Sequence, residues 1–170
     1  MDDTDRMLRG DILIDLFFLD DDTTSVTGGI YIEACPDTVW STLTDYDNLS
    51  NTLPKVIASR SVGRNNTGII LEQTGKTGIL FFEKTVNFRL SVHEEYPDRI
   101  SFEQISGDFH IYKGEWQLET KNGCGGTFLR YKATIKPKFF APPLLVSFVQ
   151  RQDLPGILTA HKQHTERMAP

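Results

Sequence analysis

The sequence has little that would cross-link it and nothing that would anchor it. Cys35 and Cys124 are its only cysteines among 170 residues. Neither sits in a paired metal-binding spacing, so free, reduced thiols are expected rather than a disulfide framework or a zinc site. No run reaches the ~18 consecutive apolar residues of a membrane span. The start, MDDTDRMLRGD, has no basic stretch leading into an apolar one, unlike a secretory signal, and is too acidic for a typical transit peptide. A cytoplasmic location is therefore expected, or an organellar one where a leader has been removed. No repeat, low-complexity block or linker divides the chain, so residues 1–170 are expected to form one domain with a sizeable core.

Positive charge is also scarce overall: the net charge is -5. An acidic total argues against a protein that reads nucleic-acid phosphates over a broad surface. The charge is unevenly spread, however. Residues 1–33 hold nine acids against Arg6 and Arg9, whereas residues 121–170 hold eight bases against Asp153 and Glu166. The basic third can meet an anionic membrane, or the chain's own acidic start.

What is abundant is strand pattern. GDILIDLFF (10–18) and TGGIYIEA (27–34) flank a polar DDDTTS and read as a hairpin. KVIASRSV (55–62) and TGIILEQT (67–74) are joined by the turn-like GRNN. In 84–95, Val86, Phe88, Leu90 and Val92 alternate with Thr85, Asn87, Arg89 and Ser91. RISFEQIS (99–106), FHIYKGEWQLET (109–120) and TFLRYKATIKPK (127–138) alternate likewise. Strands that are apolar on one side only make an antiparallel sheet with one dry face.

Two segments follow a helical period. In CPDTVWSTLTDYDNLSNTLP (35–54), Pro36 suits a first helical position and Val39, Trp40 and Leu43 share a face. Asp45 is placed to cap a second short run carrying Tyr46, Leu49 and Leu53, which Pro54 ends. Helices this short are marginal in water and must lie on something larger. After KFFAPP, one long helix is expected, carrying Leu144, Leu145, Phe148, Val149, Leu154, Ile157, Leu158, His161 and Met168. A kink or break is expected near Asp153 to Gly156, because Pro155 removes a backbone hydrogen bond, with Asp153 placed to cap a renewed turn containing Pro155. One helix cannot fill the dry face of a curved sheet completely, so a gap bordered by aromatic side chains is expected, with the two short helices covering one end.

The order of elements, together with PDTVWSTLTDYDNLSNTLP, GEWQLE followed by GGTFLRY, and QDLPGILTAHKQHTE, resembles the START-like (helix-grip) superfamily. Within it the sequence is most similar to the polyketide cyclase/dehydrase and coenzyme Q-binding branch, over roughly residues 26–168. The resemblance implies an α+β helix-grip fold: a curved antiparallel sheet around a long C-terminal helix, with two short helices after the first long strands. Residues 1–25 fall outside that pattern as an added N-terminal strand segment. It also implies a deep apolar cavity for a lipid, quinone or polyketide, with no metal or organic cofactor.

The alternation gives the candidate lining: Phe88, Leu90, Phe102, Gln104, Tyr112, Trp116, Tyr131, Phe148, Ile157, Leu158 and His161. Any one of these large side chains can equally be plain core. Gln104, Tyr112 and Tyr131 are the polar members, and an unpartnered buried hydroxyl or amide costs ~1–3 kcal/mol, so each needs a ligand, backbone or water partner. His161 faces the sheet and His110 is expected to align with Tyr112, yet no carboxylate or arginine shares the inner faces. A general acid or base near neutral pKa therefore has no evident tuning partner. His161 and His164 have a metal-capable spacing without a third ligand. GKT (75–77) lacks the glycine a phosphate loop needs and reads as a hairpin turn. KPKFFAPPLLV (136–146) mixes bases with phenylalanines, fitting either membrane-surface contact or a strand-to-helix connection tucked into the core.

Three functions fit the sequence. The leading one is non-enzymatic binding, transport or chaperoning of a hydrophobic small molecule. The others are a polyketide cyclase/aromatase-type enzyme and a protein-interaction module like the ribosome-associated relatives.

Overall fold

The computed structural model describes residues 1–66, 68–79, 82–120 and 123–170. Eight strands form one antiparallel sheet: β1 (Leu13–Leu19), β2 (Thr23–Ile32), β3 (Val56–Asn65), β4 (Gly68–Ile79), β5 (Phe82–Glu95), β6 (Arg99–Gly107), β7 (Phe109–Thr120) and β8 (Thr127–Pro137). Their spatial order is β1-β2-β8-β7-β6-β5-β4-β3. β3 to β8 run as a meander, and the last strand returns to pair with β2. The helices are α1 (Asp3–Leu8), α2 (Pro36–Leu43), α3 (Leu49–Thr52) and α4 (Pro143–Met168), with a 3-10 turn at Tyr46–Asn48 before α3. This is the START-like helix-grip arrangement.

The strand order explains the two short helices. β2 and β3 are consecutive in sequence but lie far apart in the sheet. The chain must travel from one to the other, and α2, the 3-10 turn and α3 make that journey. Val39, Trp40, Leu43, Tyr46 and Leu49 are buried along the way. Pro36 occupies the first turn of α2 as expected, but Asp45 makes no capping bond to the following turn. Its carboxylate instead accepts from Asn48 Nδ2 at 3.2 Å.

Several local expectations are corrected. α4 is one uninterrupted helix through Pro155, and Asp153 lies inside it rather than at a cap. Packing on both sides of the proline holds it: Leu154 and Leu158 press on β2 at Gly28, where a Cβ would sit 3.1 and 3.2 Å from their methyl groups. Gly75 to Thr77 are not a turn but part of β4, paired with Val86, Thr85 and Lys84. The acidic start forms α1, capped by the Asp2 carboxylate, which accepts from Thr4 N–H at 2.5 Å. Met7 of α1 is sealed over Gly29, giving the segment a buried anchor that the sequence pattern did not reveal.

α4 is tied to α2 by a buried hydroxyl pair. Thr42 Oγ1 and Thr165 Oγ1 are 2.8 Å apart, and Thr42 Oγ1 also lies 2.9 Å from the Val39 carbonyl, to which it can donate. With that donation made, Thr165 donates to Thr42. Thr42→Val leaves the Thr165 hydroxyl without an acceptor and is expected to cost about 1–3 kcal/mol. Thr165→Val is expected to cost less, and the double substitution to regain part of the Thr42→Val loss. Urea denaturation of the three variants checks the ordering.

Candidate functional site

The dry side of the sheet and α4 do not close on each other. Between them lies a cavity of about 580 Å³, within the ~300–1,000 Å³ of small-molecule sites. Its floor is the inward row of β5 to β8, where Val86, Phe88, Leu90 and Val92 face Ile100, Phe102, Tyr112, Trp116 and Tyr131. α4 supplies the roof through Val146, Val149, Leu154, Ile157 and His161, and Leu43, Tyr46 and Leu49 from the short helices close one end. Among the wall residues Pro54, Lys76, Lys84, Phe140 and Leu145 are exposed, which marks the rim where the cavity meets solvent.

Phe88, Leu90, Phe102, Tyr112, Trp116, Tyr131, Ile157 and His161 thus meet around one space. Three expected lining residues do not. Gln104 instead latches the β6–β7 corner: its Nε2 donates to the Phe109 carbonyl at 2.7 Å, and its Oε1 accepts from Phe109 N–H at 3.2 Å. Phe148 is 54% exposed. It stands nine residues before Ile157, about 2.5 helical turns, and therefore points to the opposite side. Leu158 is fully buried, but against Gly28 of β2.

The register break between Phe109 and Ile111 accounts for another difference. A bulge shifts the alternation by one residue. Phe109 therefore joins Tyr112 in the wall, and their rings sit 5.1 Å apart. His110, expected beside Tyr112, is exposed. Nothing in GDFHIY spells out a bulge. The Gln104 latch is its structural signature, and only the fold shows it. Asp153 was also missed: read as a cap, it lies in the wall, with its side chain 10% exposed. Thr77 Oγ1 donates to its carboxylate at 3.4 Å, and Lys55 Nζ stands 4.0 Å away.

The wall is mainly apolar and aromatic. Phe88 meets Tyr112 edge-on at 5.1 Å, Phe102 meets Tyr112 at 5.3 Å, and Trp116 lies 4.6 Å from Tyr131. Burial pushes the pKa values of Tyr112 and Tyr131 up, so both phenols stay protonated. Tyr46 donates to Glu94 at 2.6 Å, and burial followed by that carboxylate raises its pKa as well. His161 is 4% exposed, and desolvation lowers its pKa to about 4, leaving a neutral imidazole. No group of three or more His, Cys, Asp or Glu side chains suited to a metal occurs among the described residues.

A family model described as polyketide cyclase/dehydrase and lipid transport matches residues 32–162. The chain belongs to this family. Solved structures agree on the fold. A START superfamily protein from Mycobacterium smegmatis has a TM-score of 0.73 at 17% identity, over 85% of this chain and 99% of its own. An aromatase/cyclase from Streptomyces sp. R1128 has a TM-score of 0.69 at 15% identity, over 85% and 94%. Human STARD10 has a TM-score of 0.67 at 12% identity, over 97% and 80%. No curated protein sequence matches the chain significantly.

His161 makes acid stability a test of this site. Its folded pKa of about 4 lies below the ordinary 6.5. Between those values the unfolded chain takes a proton that the folded chain refuses. Stability is therefore full above pH 6.5 and falls by roughly 3 kcal/mol as pH drops toward 4. His161→Leu is expected to remove that slope from urea midpoints measured over the same range. An unchanged slope would contradict the buried, neutral assignment.

Proposed function

We propose that this protein is a non-catalytic carrier or chaperone for a hydrophobic small molecule held between the sheet and α4. A lipid, an isoprenoid quinone or a polyketide-like chain has the required character. The observation that carries the reading is the mainly apolar cavity of about 580 Å³ with an exposed rim. Burying apolar area contributes ~25 cal/mol per Å², enough to drive uptake without any reaction. The family description includes lipid transport, and one similar structure is a STAR-related lipid transfer protein from Xanthomonas axonopodis.

A cyclase-type reaction is the second reading, supported by the similar aromatase/cyclase and by Tyr112, Tyr131 and His161 sharing the wall. The site disfavours it. A general acid–base pair works best near operating pH, whereas the phenols are pushed up and the imidazole down. The Asp153 carboxylate sits at the Lys55 side rather than beside His161.

The rim also fits loading from a lipid surface. Phe140 is 92% exposed and Leu144 76% exposed, with Leu145 and Phe148 beside them at the start of α4. Lys136 is already held by Asp21 at 2.8 Å, so the apolar groups rather than that base carry the contact.

Native mass spectrometry of the purified protein is expected to show a co-purifying species of lipid-like mass. Ile100→Phe, which fills the cavity from its floor, is expected to reduce that species and to weaken binding of an apolar fluorescent probe about tenfold while keeping the fold. Full probe binding by a folded Ile100→Phe protein would count against the reading. Leu144→Ser with Phe148→Ser, both outside the cavity wall, is expected to lower co-sedimentation with phosphatidylcholine vesicles without altering probe affinity.

A further inference from the structure

The cavity contains an unused polar corner. His161 and Trp116 meet edge-on at 5.1 Å, and Trp116 packs on Tyr131 at 4.6 Å. All three line the cavity, and so does Tyr112. Among the described residues neither the imidazole nor the indole N–H forms a hydrogen bond, although His161 is almost wholly buried. The only fully enclosed side-chain polar atom without a partner there is Thr24 Oγ1, so the His161 and Trp116 nitrogens are not sealed by protein and open onto the cavity.

The corner lies far from the part of the rim at the start of α4. Leu145 and His161 are sixteen residues apart on one continuous helix, about 24 Å at 1.5 Å per residue. A molecule entering at the rim therefore brings its leading end to these groups. Native proteins pair nearly all their buried polar groups, and leaving one unpaired costs more than a typical hydrogen bond contributes net.

From this corner we infer the ligand's chemical class: a neutral apolar molecule with a carbonyl or hydroxyl oxygen at its buried end, received by Trp116 and His161. The inference rests on the carrier reading and sharpens it. The indole offers one donor, and a neutral imidazole offers one donor and one acceptor. A carbonyl oxygen has two lone pairs and can accept from both rings. A hydroxyl can accept from Trp116 and donate to His161. A carboxylate at this end is excluded, because no cation lines this part of the wall and an unpaired buried charge is far costlier than a neutral dipole. Tyr131, packed on Trp116, and Tyr112 line the same wall.

Calorimetric titration of the intact protein with decane, 1-decanol, 2-decanone and decanoate tests the assignment, with imidazole ¹⁵N shifts of labelled histidine as a second readout. At least one of the alcohol and the ketone is expected to bind about tenfold more tightly than decane and to move the His161 shifts. Which of the two does so distinguishes hydroxyl from carbonyl. Decanoate is expected to leave those shifts unmoved. Trp116→Phe and His161→Gln each keep a ring or a polar group in place, and are expected to reduce the preference over decane to about threefold or less. If decane equals both oxygenated chains in the unaltered protein, the polar corner is refuted while the carrier reading stands. If none of the four binds, the carrier reading itself fails.

Discussion

The close approach of α4 to β2 at Gly28 is the constraint on which the cavity depends. Leu154 and Leu158 reach the strand only because no side chain stands there. The helix is thereby held down at one side of the sheet, and Thr42 and Thr165 hold its last turns against α2. On the far side it meets β4 through polar contacts: Gln152 Nε2 donates to the Gly78 carbonyl at 3.2 Å, and Thr77 to Asp153. Held at its borders, the helix spans the sheet as a roof, and the aromatic floor beneath it is left with space.

The floor is stiff for the same reason that it is apolar. Phe88, Phe102, Phe109, Tyr112, Trp116 and Tyr131 form a chain of edge-on, tilted and stacked ring contacts, with centroids 4.6–6.3 Å apart. Such pairs add ~0.5–1.5 kcal/mol each beyond burial and fix ring orientation. The Gln104 latch holds Phe109 in this group by its backbone. A preformed pocket orders little on binding, which favours a carrier that must both load and release.

Polarity inside the cavity is sorted by position. Lys55, Lys84, Asp153 and Gln150 line the rim side, while His161 lies toward the other end of α4 with Trp116 against it. Lys84 Nζ sits 4.7 Å over the Phe139 ring, so even the rim cation rests on an aromatic face. A graded wall of this kind orients a guest as well as enclosing it.

Much of this was legible in the chain itself. The alternation of Val86, Phe88, Leu90 and Val92 gave the inner row of β5, and the 3–4 spacing of Leu154, Ile157 and His161 gave the inner stripe of α4. Side-chain direction along an unbroken strand or helix follows from local geometry alone. The failures lie where non-local contacts override that geometry. The bulge at Phe109 to Ile111 exchanged Phe109 for His110, and half a helical turn put Phe148 outside. Packing against Gly28 carried the helix through Pro155 and turned Leu158 away from the cavity. By itself the sequence determined the types of the long elements, their dry faces and the family. How far the helix stands from the sheet, and so whether the aromatics surround a space or fill it, was decided only in three dimensions, because that distance is set by contacts between residues distant in the sequence, from Thr77 and Asp153 to Gly28 and Leu158.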